Sequence, residues 1–80
     1  TEMIRFITRG PRAKAQATAL KNALSAAIQR TKIPAIVSAA PRVFTPEQWH
    51  VLLRGASVGA LLDGLDLEDI SVDVDPVECL

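Results

Sequence analysis

Between the chain breaker Arg9-Gly10-Pro11 and about Thr31 runs a stretch of good helix formers whose apolar residues return at helical spacing. Ala13, Ala17, Leu20, Leu24, Ala27 and Ile28 fall on one stripe, with Lys14, Thr18, Lys21, Asn22, Ser25 and Gln29 opposite. Pro11 suits the first turn, where the N–H it lacks has no intrahelical partner. A stripe of this kind must be buried against a second layer, and its alanines let that layer approach closely. In a chain of 80 residues, one such helix leaves room only for short partners, so a single domain spanning residues 1–80 is expected.

The partners read mostly as strands. Met3 to Thr8 is rich in β-branched and aromatic residues and places Ile4 and Phe6 on one face. Ile33 to Ser38 is a second apolar run, whose early proline suits a strand start or an edge strand. Ala39 to Phe44 turns into a further extended piece. Thr45-Pro46-Glu47-Gln48 has the form of a helix start, with Thr45 as N-cap, Pro46 at the first position and Gln48 closing a capping box. Trp49, Leu52, Leu53 and Ala56 would then be the buried face of a short helix ended by Gly55. Ser57 caps a further turn over Val58 to Leu62, stopped near Gly64. Ile70 to Asp75 alternates strictly, with Ile70, Val72 and Val74 inward, and Pro76 ends it. The expected order is β-α-β-α-(α)-β. This is an α/β (α+β) two-layer domain with one long amphipathic helix on a three-stranded sheet and a right-handed parallel β-α-β crossover. Its core would bring Phe6, Leu20, Leu24, Trp49, Leu52 and Leu53 together.

Charge is distributed very unevenly, although nine cations balance nine acids. Residues 1–46 carry eight of the cations and only one acid, Glu2, a balance of +7, and residues 47–80 carry the converse, −7. Such asymmetry points to an electrostatic partner. The candidate basic face is Arg5, Arg9, Arg12, Lys14 and Lys21, and the candidate acidic face is Asp66, Glu68, Asp69, Asp73 and Asp75. Two such faces permit a head-to-tail homo-oligomer, or a contact with another protein. The alternative is a small nucleic-acid-binding protein using the basic half. Overall neutrality, the eight acids and the lack of surface aromatics for stacking count against it.

No site chemistry accompanies the charge split. His50 is the only histidine and has no triad pattern around it. A lone histidine with a distant cysteine does not supply a zinc set. The run Asp63 to Asp69 lacks the spacing of a calcium loop. Arg9-Gly10-Pro11-Arg12 has too few glycines for a phosphate-binding turn, and proline removes one of the N–H groups such a turn presents. The expectation is therefore a non-enzyme without metal or cofactor. The single Cys79 forms no internal disulfide, which fits a reducing compartment. No stretch has the length of apolar residues a membrane span needs, and no basic-then-apolar leader opens the sequence. A soluble protein of the cytoplasm is expected, with no membrane partner. The core is rich in alanine, and the aromatics are only Phe6, Phe44 and Trp49, so oligomerisation is a natural supplement to its stability.

Arg42-Val43-Phe44-Thr45-Pro46-Glu47-Gln48-Trp49, followed by a short helix and the alternating strand Ile70 to Asp75, resembles segments of small Mu-like prophage proteins. In those proteins a similar FT-x-E-Q helix start precedes a closing strand. The resemblance covers residues 42–75. It implies a phage or prophage accessory or structural protein with no known catalysis, placed in the host cytoplasm or the virion, so that the protein–protein interaction expected from the charge split would be with a host or virion protein.

Overall fold

The computed structural model describes residues 2–74. They form four strands, β1 (Glu2–Thr8), β2 (Ala35–Pro41), β3 (Trp49–Gly55) and β4 (Ser71–Val74), one helix, α1 (Ala13–Thr31), and a 3₁₀ turn over Gly59–Leu62. The strands make a single sheet in the order β2-β3-β1-β4, with every neighbouring pair antiparallel. The α+β class and the helix-on-sheet layering are as expected, but the sheet has four strands where three were anticipated. Because β3 is antiparallel to both β1 and β2, those two run parallel with β3 lying between them. The β-α-β unit is therefore split rather than adjacent.

The helix follows its stripe. Ala13, Ala17, Leu20, Leu24 and Ala27 are buried, and Ile28 packs at the edge of the same core. It begins at Ala13, not at Pro11, after a turn in which Gly10 takes φ +87°, a conformation that costs glycine little. Arg12 at the N-cap makes no side-chain cap. The strand end ties this start down instead: the buried Thr8 hydroxyl donates to the Ala13 carbonyl at 2.8 Å. At the other end Lys32 adopts a left-handed conformation, φ +62°, and its N–H reaches the Ile28 carbonyl at 2.9 Å.

The principal correction concerns Trp49 to Gly55, which is a central strand and not a helix. Its start signal is nonetheless real at short range. Gln48 N–H bonds to the Thr45 carbonyl at 2.8 Å, and the Thr45 hydroxyl donates to Gln48 Oε1 at 3.3 Å. One turn forms and then the chain extends, because β1 and β2 satisfy both edges of the following segment. Strand alternation thus replaces the helical spacing. Val51 and Leu53 face α1 and are fully buried, Trp49 is half-buried on the same side, and Leu52 faces away. Phe6, Leu20, Leu24 and Leu53 meet in the core as expected, while Leu52 does not and Val51 takes its place.

Ile4, Phe6 and Thr8 of β1 point to the helix side in register with Leu53, Val51 and Trp49. Val72 and Val74 lie on that same side, opposite Phe6 and Ile4. They are exposed all the same, Val74 at 68%, because α1 covers β2, β3 and β1 and does not reach the edge strand β4. The 3₁₀ turn falls where a last helical turn was expected, with Val58, not Ser57, at its N-cap. Val58 and Leu61 close the core there, and the Val58 N–H is held by Glu2 Oε1 at 2.9 Å.

Candidate functional site

The fold interleaves the two charged halves. Arg5, at the middle of β1 on the sheet face that α1 leaves open, forms an ion pair with Asp73 of β4 at 3.0 Å. Arg9 donates to the Ser71 hydroxyl at 2.6 Å. Arg12 and Gln16 line one side of a groove of about 520 Å³ between α1 and the 65–70 segment, and Asp66, Glu68 and Asp69 line it as well. The Asp66 carboxylate is turned back on its own loop, accepting the Glu68 N–H at 3.2 Å. Three members of the candidate basic face thus stand beside members or neighbours of the candidate acidic face. The other two, Lys14 and Lys21, are exposed on α1, across the sheet from Arg5, with the Lys14 Nζ 5.9 Å from the centre of the Trp49 ring. The described basic residues thus lie on both sides of the sheet, while Asp66, Glu68 and Asp69 share one groove. Asp75 and Cys79 lie outside the described residues.

The Arg5–Asp73 ion pair joins β1 to β4. The Asp73 side chain remains 47% accessible, so water screens the pair and its net contribution is small. Asp73→Asn should lower stability by less than about 1 kcal/mol, with β4 retained, as read from urea midpoints at low and high salt. A larger, salt-independent loss would show that Asp73 organises the strand by another route.

His50 is buried in β3 opposite Ile7 on the open sheet face, not at the start of a helix. No group of three or more His, Cys, Asp or Glu side chains among the described residues is arranged to hold a metal ion. No helix among them is long and apolar enough to cross a membrane.

A different surface emerges from the topology. β2 is an edge strand over seven residues, Ala35–Pro41, and none of them is charged. Its hydrogen-bonding phase can be read from its end. The Arg42 N–H bonds to the Gln48 carbonyl at 2.9 Å, one step beyond the Pro41–Trp49 pair of the ladder. In an antiparallel ladder bonded and non-bonded pairs alternate, so the even residues 36, 38 and 40 turn their backbone groups toward β3. The odd residues Ala35, Val37 and Ala39 turn theirs outward, as does Pro41, whose missing N–H falls where β3 does not need it. Exposed apolar side chains stand towards both ends of this edge: Ile36 is 73% exposed, and in the loop that follows β2 Val43 is 63% and Phe44 82% exposed.

This edge is the surface that charge counting missed. The available signal was the uncharged run between Pro34 and Pro41, which overlaps the stretch Ile33 to Ser38 already read as a strand start or an edge strand. What could not be read was which of its sides stays unpaired. No family model matches the chain, and no curated protein sequence matches it.

Proposed function

We propose that this chain is a non-enzymatic protein-interaction module, an assembly component that accepts a partner's strand along the free edge of β2. One observation carries this: an uncharged seven-residue edge with outward N–H and C=O groups at Ala35, Val37 and Ala39, flanked by exposed Ile36, Val43 and Phe44. Natural edges are ordinarily protected by charge, bulges, shortness or cover. β4, the other edge, follows that rule, since it carries Asp73. β2 has only its terminal proline. Strand addition supplies main-chain hydrogen bonds, and an exposed aromatic next to the edge is a suitable anchor. The scattered cations and acids then serve to steer approach and choose among partners more than to add affinity. A phage or prophage accessory or virion component is the setting that the resemblance of residues 42–75 implies.

The test is site-specific photo-crosslinking in the cells that make the protein, with the photoreactive residue at Phe44, Ile36 or, on the exposed side of α1, Lys21. Protein adducts at 44 and 36 and none at 21 are expected. Nucleic-acid adducts at 21, with nothing at 44 or 36, would replace this proposal with polyanion binding by the Lys14–Lys21 side of the helix.

A further inference from the structure

We infer that the partner taken up by the β2 edge is a second copy of this chain, paired antiparallel, β2 to β2, about a two-fold axis through Ser38. This rests on β2 being the contact edge, and it adds the identity of the occupant and the register.

The edge is complementary to itself in that register. Ser38 faces Ser38 of the second copy, Val37 faces Ala39, Ile36 faces Ala40 and Ala35 faces Pro41, so larger side chains meet small ones and no charge meets a like charge. A two-fold axis demands this kind of self-matching patch. The backbone phase agrees. Val37 and Ala39 turn their groups outward and exchange N–H···O bonds with Ala39 and Val37 of the other copy. The Ala35 N–H reaches the Pro41 carbonyl, and the N–H that Pro41 lacks leaves one gap at each end of the ladder.

Apolar side chains also lie just outside the strand. Antiparallel pairing brings Lys32-Ile33-Pro34, the approach to β2 in one copy, level with Arg42-Val43-Phe44 of the other. In that register half-buried Ile33 falls opposite exposed Val43, and exposed Lys32 falls opposite exposed Phe44. The side chain of Val43, open to water in the single chain, gains an apolar neighbour. Both sheets join into one of eight strands, with the two α1 helices on the same side, because the axis is perpendicular to the sheet and keeps its faces.

The register makes a distinctive prediction. Ser38 turns its backbone groups toward β3, so Ser38 and Ser38 of the second copy form a non-hydrogen-bonded pair with Cα atoms about 4.5 Å apart. That separation lies within the range of a disulfide, about 4.4–6.8 Å. In a Cys79→Ser background, Ser38→Cys should oxidise in air to a covalent dimer. Ile36→Cys alone and Ala40→Cys alone should not, whereas an equimolar mixture of those two should yield the mixed dimer. Ala39→Pro removes an outward N–H without touching the β3 ladder, and should leave the circular dichroism unchanged while shifting the parent's sedimentation from dimer to monomer.

A parent chain that sediments as a monomer at millimolar concentration overturns the inference. So does Ser38→Cys oxidising no faster than Ile36→Cys. If the copies stay apart while a crosslinker at Phe44 captures a different protein, self-pairing is wrong and strand addition stands. If neither occurs, both fall.

Discussion

Replacing Phe6 with alanine is expected to cost about 3–5 kcal/mol of unfolding free energy, the usual range for a buried aromatic truncated to a methyl group. Phe6 is fully buried at the centre of β1, between Val51 of β3 and Val72 of β4 in register, and belongs to the cluster formed with Leu20, Leu24 and Leu53. Much of the surrounding helix surface is alanine, which cannot swing into the vacancy, so the cavity persists and its full cost is felt. A small domain has about 5–15 kcal/mol in total, and this one is expected near the lower bound. Urea unfolding followed by circular dichroism should show a large fall in midpoint. Trp49→Ala should cost less, because Trp49 is only half-buried with Lys14 over its ring. Equal losses for the two variants would mean that the tryptophan, not Phe6, centres the core.

Gly55→Ala is the second large effect expected, a loss of about 1–3 kcal/mol. Gly55 ends β3 where the chain entering β2 crosses it: a Cβ placed there would lie 2.6 Å from the Pro34 carbonyl oxygen and 3.0 Å from both the Ala35 Cβ and a Val58 methyl. The first of these contacts is with backbone, which cannot rotate out of the way as a flexible side chain can. Either β2 shifts away from β3 or the bend after Gly55 opens. Gly59 provides the comparison. A Cβ there meets nothing within 4 Å, so Gly59→Ala should change stability by no more than about 0.5 kcal/mol. Differential scanning calorimetry of the two variants separates the contact at Gly55 from the general effect of losing a glycine. If both variants melt with the parent, the close approach at Gly55 is absorbed by the strand and β2 is looser on β3 than its ladder implies. Because Gly55 pairs with Ala35, the first outward-turned residue of the edge, Gly55→Ala should also weaken association of the protein in proportion to the displacement of β2.

Local pattern was decisive where one periodicity had no competitor. The α1 stripe repeats over five turns and matches no strand spacing, so the buried face of the helix was legible residue by residue. β1, β2 and β4 were legible as well, through β-branched runs bounded by glycine and proline. Residues 45–55 were not, since Trp-His-Val-Leu-Leu satisfies both periods. Trp49, Leu52 and Leu53 make a helical face, and Trp49, Val51 and Leu53 make a strand face. The capping turn at Thr45–Gln48 favoured the first, and nothing within the segment opposes it. Only β1 on one side and β2 on the other, both distant in the chain, decide for the second by taking up every main-chain donor and acceptor along the segment.

The same division holds for the candidate site. Which residues carry charge, and the absence of charge from Ala35 to Pro41, are properties of the chain alone. Placing Arg5 against Asp73, setting Arg12 across a groove from Asp66, Glu68 and Asp69, and leaving β2 with a free side all required the strand order. A sequence determines what each segment can pair with, through side-chain period and turn chemistry. Which pairings are realised depends on contacts between residues far apart in the chain, whose closure entropy is repaid only when the sheet and its helix form together. Here that cooperative step moved the acids in among the cations and left an uncharged strand at the rim.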